Sequence, residues 1–210
     1  MNFLTTGPDD GIARLLLAHG AGAPMDNRFM NDFAAAAVER GLQTLRFEFA
    51  YMASRRTREG RKPPPRAERV MSEYLEAVDS APTDRPLFIG GKSMGGRVAS
   101  MVAEELFRAS KIAGLFCLGY PFHPPGTPEK LRTAHLRDLS VRTLICQGTR
   151  DPFGAREDVS TYTLSPAIRI HWLESGDHDF RPAKGAGVTA KENLRSAADA
   201  VAEWANKIVG

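Results

Sequence analysis

The chain has 210 residues, 42% of them hydrophobic and 25% charged, a balance that suits one globular domain over residues 1–210 with a single apolar core. No apolar run approaches the roughly 18 residues that a bilayer crossing needs, and Met1–Gly7 lacks the basic and apolar regions of a signal peptide, so a cytoplasmic protein is expected. The net charge is only +3, and it is concentrated: Arg55, Arg56, Arg58, Arg61, Lys62, Arg66 and Arg69 face only Glu59 and Glu68 in the same stretch, which leaves the rest slightly acidic.

Short apolar runs alternate with longer amphipathic ones along the chain. A hairpin within residues 1–12 is weakly signalled. Arg14–Gly20 is a continuous apolar run ending in a glycine-rich turn, as expected of a strand buried on both faces of a parallel sheet. Asp26–Arg40 places Phe29, Phe33 and Ala37 on one helical stripe, and Gly41 supplies the stop. Thr44–Tyr51 reads as a strand. Pro63-Pro64-Pro65 interrupts regular structure, and Arg66–Ser80 is again helical, with Val70, Tyr74 and Val78 in register. A strand at Pro86–Gly90 precedes a helix at Met94–Phe107. Strands follow at Ile112–Tyr120, Val141–Gln147 and Ile168–Leu173. A short helix near Arg156–Tyr162 and a final one from about Ala190 to Ile208 complete the set. This alternation predicts an α/β fold: a mainly parallel sheet of about six to seven strands with helices on both faces.

Gly91-Lys92-Ser93-Met94-Gly95 matches G-x-S-x-G, the pattern of a sharp strand-to-helix turn that presents a serine in a strained conformation. A chain of this size shows the pattern by chance roughly one time in ten. The strand before it and the helix after it raise its value well above that. The acid and the histidine of a triad then have to follow in that order, each past the carboxyl end of a later strand. Asp151 follows the strand ending at Gln147, and His178 follows the strand ending at Leu173. Asp177 and Asp179 are alternative acids. Among the other histidines, His171 lies within a strand, His135 in a polar connection where solvation is expected, and His123 precedes the acid. His19 opens the turn His19–Ala23 and is expected to organise it by hydrogen bonding.

These residues point to two-step acyl transfer on a small-molecule acyl substrate: Ser93 as nucleophile, His178 as base and Asp151 orienting the imidazole. The N–H groups of Met94 and Ala21 are expected to hold the oxyanion, with Gly22 the neighbouring candidate. Only about twenty residues separate Tyr120 from the next strand, too few for a cap domain. An open, shallow site edged by Tyr120, Phe122, His123 and Phe153 is therefore expected. Cys117 and Cys146 sit in apolar runs and read as reduced core residues. No Cys/His cluster has ligand spacing, so no metal or cofactor is expected. The basic stretch has three readings: a solvated loop, an arginine clamp for an anionic substrate, or a nucleic-acid or partner surface. The third lacks aromatic interleaving or a recognised module, so no nucleic-acid partner is expected, nor a membrane.

Together, Leu16–Ala23, the arginine-and-proline stretch, Gly91–Arg97, Gly148–Gly154 and Gly176–Phe180 resemble a small lidless α/β-hydrolase family over nearly the whole chain. The chain is similar to the bacterial relatives of dienelactone hydrolases, and more closely to a group that includes an animal non-specific-lethal chromatin-complex subunit. The resemblance implies the fold and the triad. Dienelactone hydrolases use a cysteine where this chain has Ser93, so their substrate does not carry over. Some relatives serve as scaffolds, which keeps a non-catalytic, partner-binding reading open.

Overall fold

The computed structural model describes residues 1–57 and 63–210. Its centre is a seven-stranded sheet built from β1 (Leu4–Thr6), β2 (Ala13–Ala18), β3 (Leu42–Phe47), β4 (Leu87–Lys92), β5 (Gly114–Leu118), β6 (Thr143–Gly148) and β7 (Ile168–Leu173). The spatial order is β1-β3-β2-β4-β5-β6-β7, with all pairs parallel except β1 against β3. Every residue of β2 through β6 is buried, which is why β2 and β5 read as apolar runs, while β3 and β6 also bury polar residues such as Gln43, Arg46 and Gln147.

Helices cover both faces. On one, α3 (Met71–Ser80) and α4 (Met94–Arg108) bury Tyr74, Val78, Val98, Val102 and Leu106 against Leu16, Ile89, Leu115 and Ile145. On the other, α1 (Arg28–Val38) and α6 (Ala190–Val209) bury Phe33, Ala37, Ala198, Val201 and Ala205 against Leu15, Leu17, Phe116 and Leu144. Cys117 belongs to the first core and Cys146 to the second, so the two free thiols face opposite sides of the sheet. The ends are set locally. The Asn27 side chain caps α1 by accepting from the Met30 N–H, and Thr189 with Glu192 forms a reciprocal capping box on α6. The remaining helices, α2 (Ala50–Ala53) and α5 (Arg156–Val159), are single turns.

Two expectations are corrected. Residues 1–12 form no hairpin: β1 and β2 lie on opposite sides of β3, so neither can pair with the other. The run Thr44–Tyr51 is not a strand throughout. β3 ends at Phe47, because the Phe49 N–H leaves the ladder to bond His19 Nε2 (3.2 Å) and the Ala50 N–H bonds Glu73 Oε2 (2.6 Å), which starts α2. Between β5 and β6 the chain makes only a short 3-10 turn at Ala134–Leu136, with no cap.

Tyr74 ties α3 to the strand that carries the serine motif. Its fully buried hydroxyl donates to the Gly90 carbonyl (2.6 Å) and accepts from the Gly90 N–H (2.9 Å). A buried polar group stripped of its partner costs about 1–3 kcal/mol. Tyr74→Phe should therefore lower the urea-unfolding free energy by about that amount, seen as an earlier midpoint with an unchanged slope.

Candidate active site

β4 runs through Gly91 and Lys92 into Ser93, and α4 begins at Met94. Ser93 stands at φ 50°, ψ −114°, a positive-φ conformation that a residue with a Cβ rarely adopts. The turn is this tight because β4 and α4 pack directly on the end of β2. A Cβ on Gly91 would collide with the Ala18 carbonyl oxygen, and one on Gly95 with the carbonyls of Ala18 and His19. Outside the turn, the Ser93 N–H is held by the Leu118 carbonyl at 3.0 Å.

The carboxyl edge of the sheet brings two further loops to the serine. His178 Nε2 lies 2.8 Å from Ser93 Oγ, and His178 Nδ1 lies 2.8 Å from Asp151 Oδ2. Asp151 is fully buried and accepts from the Phe153 N–H at Oδ1 (2.8 Å) and from Gln147 Nε2 at Oδ2 (3.0 Å). Those donors compensate a charge removed from water and fix which oxygen meets the imidazole. The alternative acids are engaged elsewhere: Asp177 Oδ1 accepts from the N–H groups of Asp179 and Arg181, and Asp179 lies 3.5 Å from Lys92 Nζ.

Lys92, the variable residue before the serine, went unnoticed in the sequence. Its side chain is buried and turns away from the serine to the opposite side of the strand. There Nζ donates to the His178 carbonyl (2.8 Å) and sits 5.3 Å from the centre of the Phe29 ring. Burial pushes its pKa down, against the pull of Asp179. Lys92 thus ties the nucleophile strand to the histidine loop. Nothing in the pattern marks it, because that position of the motif admits any side chain.

His19 organises its turn as expected. It is buried, and desolvation lowers its pKa, so the ring is neutral: Nδ1–H donates to the Gly20 carbonyl (2.7 Å) while Nε2 accepts from Phe49. The Tyr51 hydroxyl supports the same turn by donating to the Ala21 carbonyl (3.1 Å). Neither the Met94 N–H, in the first turn of α4, nor the Ala21 N–H has an acceptor among the described residues.

A cleft of about 480 Å³ opens over Ser93, Met94 and Ala21, with Phe153, Pro64, Pro65 and Pro121 as apolar walls. The Phe153 ring lies 4.2 Å from that of His178. Three residues expected at the rim, and Gly22, the alternative oxyanion candidate, are placed elsewhere. Tyr120 and Phe122 are fully buried and pack on each other (4.9 Å). The chain turns inward after β5 because Gln147 Oε1 accepts the Tyr120 N–H (2.7 Å). His123 is buried, its Nδ1–H given to the Pro124 carbonyl, and Gly22 is exposed outside the cleft. His135 is half-buried rather than freely solvated. Its Nε2 bonds Ser100 Oγ at 2.8 Å, and burial together with Arg97 pushes its pKa down to about 4.

Of the basic stretch, Arg56 is spent internally, bridging Glu48 and Asp26 at 2.7 Å each. Arg55 lies over the Tyr51 ring. Arg66 lines the cleft, where it is joined by Arg97 of α4 and Arg132. Arg58, Arg61 and Lys62 lie outside the described residues.

A family model described as an alpha/beta hydrolase domain matches residues 11–206, nearly the whole chain. The chain belongs to that family. The fold of this alpha/beta hydrolase is shared with three solved structures. One is an alpha-beta serine hydrolase homologue from Coxiella burnetii (19% identity, TM-score 0.64, covering 84% of this chain and 82% of that one). Another is Est1E from Butyrivibrio proteoclasticus with ferulic acid bound (14%, 0.72, 99% and 95%). The third is a dienelactone hydrolase from Anabaena variabilis (21%, 0.68, 97% and 90%). Among the described residues, no helix is long and apolar enough to cross a membrane.

The buried histidines give the hydrolase a pH signature. A histidine held neutral by the fold is protonated first in the unfolded chain, so stability is lost as pH falls from the ordinary value of 6.5 towards about 4. His19 acts in the same direction. Thermal melts across that interval should show a falling Tm, and His135→Gln should flatten the fall relative to wild type.

Proposed function

We propose that this alpha/beta hydrolase is a serine hydrolase cleaving an ester, thioester or related acyl compound through an acyl-enzyme intermediate. The observation that carries the reading is the unbroken chain from Ser93 Oγ through His178 to Asp151, with both links at 2.8 Å. Ser93 Oγ attacks the acyl carbon while His178 Nε2 takes its proton, and Asp151 steadies the resulting imidazolium at Nδ1. The tetrahedral oxyanion accepts from the N–H groups of Met94 and Ala21, which have no acceptor of their own among the described residues. His178 then gives the proton to the departing alcohol or thiol. Water, deprotonated by the same nitrogen, attacks the acyl carbon and frees the serine as the acid leaves. The cleft has room for a small or extended acyl group. Ferulic acid in Est1E and the name of the dienelactone hydrolase support carboxylic esters as the class to try first. We place the chain nearest the lidless group that includes the chromatin-complex subunit, and in the cytoplasm, where its two core thiols stay reduced.

A fluorophosphonate probe should label the wild type and not Ser93→Ala, which should also lose at least about 10⁴-fold in turnover of any ester accepted. Absence of serine-dependent labelling would favour a hydrolase-fold scaffold instead. A chain-length series of matched oxygen esters and thioesters separates carboxylesterase from thioesterase.

Lys92 serves as a positioning residue. Lys92→Met should lower kcat by about tenfold with little change in KM, because the histidine loop loses its tether while the cleft keeps its walls. A change in KM alone would contradict that role.

A further inference from the structure

The cleft over Ser93 is more basic than its acyl chemistry requires. Arg66, Arg97 and Arg132 line it, and Glu68 is the single carboxylate on its walls among the described residues. Glu68 is taken: Arg97 Nη2 holds its Oε1 at 2.8 Å. Arg97 keeps a buried Nε with no acceptor. Arg66 and Arg132 have no carboxylate within ion-pair distance among the described residues. Arg132 is held in place through its backbone: its N–H donates to the Phe122 carbonyl (2.7 Å) and its carbonyl accepts from the Tyr120 hydroxyl (2.9 Å). Burial and the neighbouring Arg97 charge push the Arg132 pKa down, and Glu68, already paired with Arg97, offsets only part of that.

Neighbouring guanidinium groups on a partly desolvated wall repel one another, and the one carboxylate beside them, Glu68, cannot neutralise all three. The core aromatics Tyr120 and Phe122 instead spend hydrogen bonds on holding one of them. Guanidinium forks recognise planar carboxylates and phosphoryl groups in bidentate fashion, and an incoming anion would relieve the repulsion. We infer that the substrate of this site is an anionic ester or thioester, whose carboxylate or phosphoryl group is held by Arg132 and Arg97, with Arg66 at the mouth, while its acyl carbon faces Ser93. Arg56 is not part of this clamp: it closes the Glu48–Asp26 bridge instead. The inference rests on the serine-hydrolase reading for its chemistry but on separate residues for its recognition.

The test uses methyl esters of butyrate, glutarate (the half-ester) and phosphonobutyrate, matched in chain and differing in charge. Wild type should favour the anionic esters over the neutral one by about tenfold or more in kcat/KM. Whether the carboxylate or the phosphonate gains more tells which anion the site was built for. In Arg132→Ala and Arg97→Ala that preference should fall about tenfold, with partial retention in Arg132→Lys, which keeps charge without the fork. Arg137→Ala, which removes an exposed charge outside the cleft, should leave it unchanged. Saturation-transfer NMR on Ser93→Ala protein reads binding without chemistry. Glutarate and phosphonobutyrate should bind and butyramide should not, and adding Arg132→Ala should abolish the difference. A wild type that prefers the neutral ester, or a preference untouched by the arginine variants, overturns the inference while serine-dependent hydrolysis stands. Anion binding without labelling or hydrolysis overturns the serine-hydrolase reading and leaves the anion site standing.

Discussion

The active edge of this protein depends on one tight contact: the turn at Ser93 pressed against the carbonyl end of β2. With φ at 50°, Ser93 gives up backbone comfort of the order of 1–3 kcal/mol, so the surroundings must over-determine it. They do so from three sides. Gly91 and Gly95 let the Ala18 and His19 carbonyls approach closer than a Cβ would allow, the Leu118 carbonyl holds the Ser93 N–H, and Tyr74 fastens Gly90 just upstream. That close approach also puts Met94 and Ala21 on the same cleft wall, since β2 and β4 are neighbours in the sheet. The serine, its candidate oxyanion donors and the floor of the cleft are therefore one packing arrangement rather than separate features.

The other two loops are tied to that turn by polar links suited to their burial. Asp151 lies out of water, where an uncompensated charge would be costly. It has acceptor sites filled by Phe153, Gln147 and His178. Gln147 also bonds the Tyr120 N–H and the Tyr120 and Gly154 carbonyls, so one amide coordinates the ends of β5 and β6 with the acid loop. Lys92 does the corresponding task for the histidine loop from the far side of β4. These groups touch no reacting atom in the proposed mechanism. Their effect is to limit how far the imidazole can drift from the hydroxyl, which matters because proton transfer tolerates little misplacement.

The sequence made the fold legible wherever burial imposed a pattern. The central strands β2 and β5 showed as apolar runs, α1, α4 and α6 kept their stripes, and Gly41 marked the end of α1 within a few residues. The order of Ser93, Asp151 and His178 could be read because a parallel sheet sends every carboxyl end to one edge. Local composition misled where a tertiary partner outweighed it. Residues 48–51 look like more strand, yet His19, thirty positions away, takes the Phe49 N–H out of the ladder. Tyr120 and Phe122 look like rim aromatics, yet a glutamine on the next strand draws the backbone inward. Lys92 and Arg132 carried no signal at all, since their meaning lies in partners from the histidine loop and from the connection after β5.

Charge shows the same gap between sequence and space, with a functional consequence. The Arg55–Arg69 run is the conspicuous basic feature of the chain, and proximity to a strand end makes it a natural candidate for binding anions. In the fold, Arg56 neutralises two acids that would otherwise flank the His19 turn, and so serves structure. The cations that reach the cleft come from three separate places: Arg66 at the end of the run, Arg97 one turn into α4, and Arg132 in the connection after β5. A field built from dispersed elements is harder to read, but it is more rigid than one on a single loop, because each cation is fixed by a different part of the scaffold. On the proposed reading, net positive charge held beside Ser93 would select among substrates by electrostatics without a lid. Such selection would suit an alpha/beta hydrolase with only a short turn between β5 and β6.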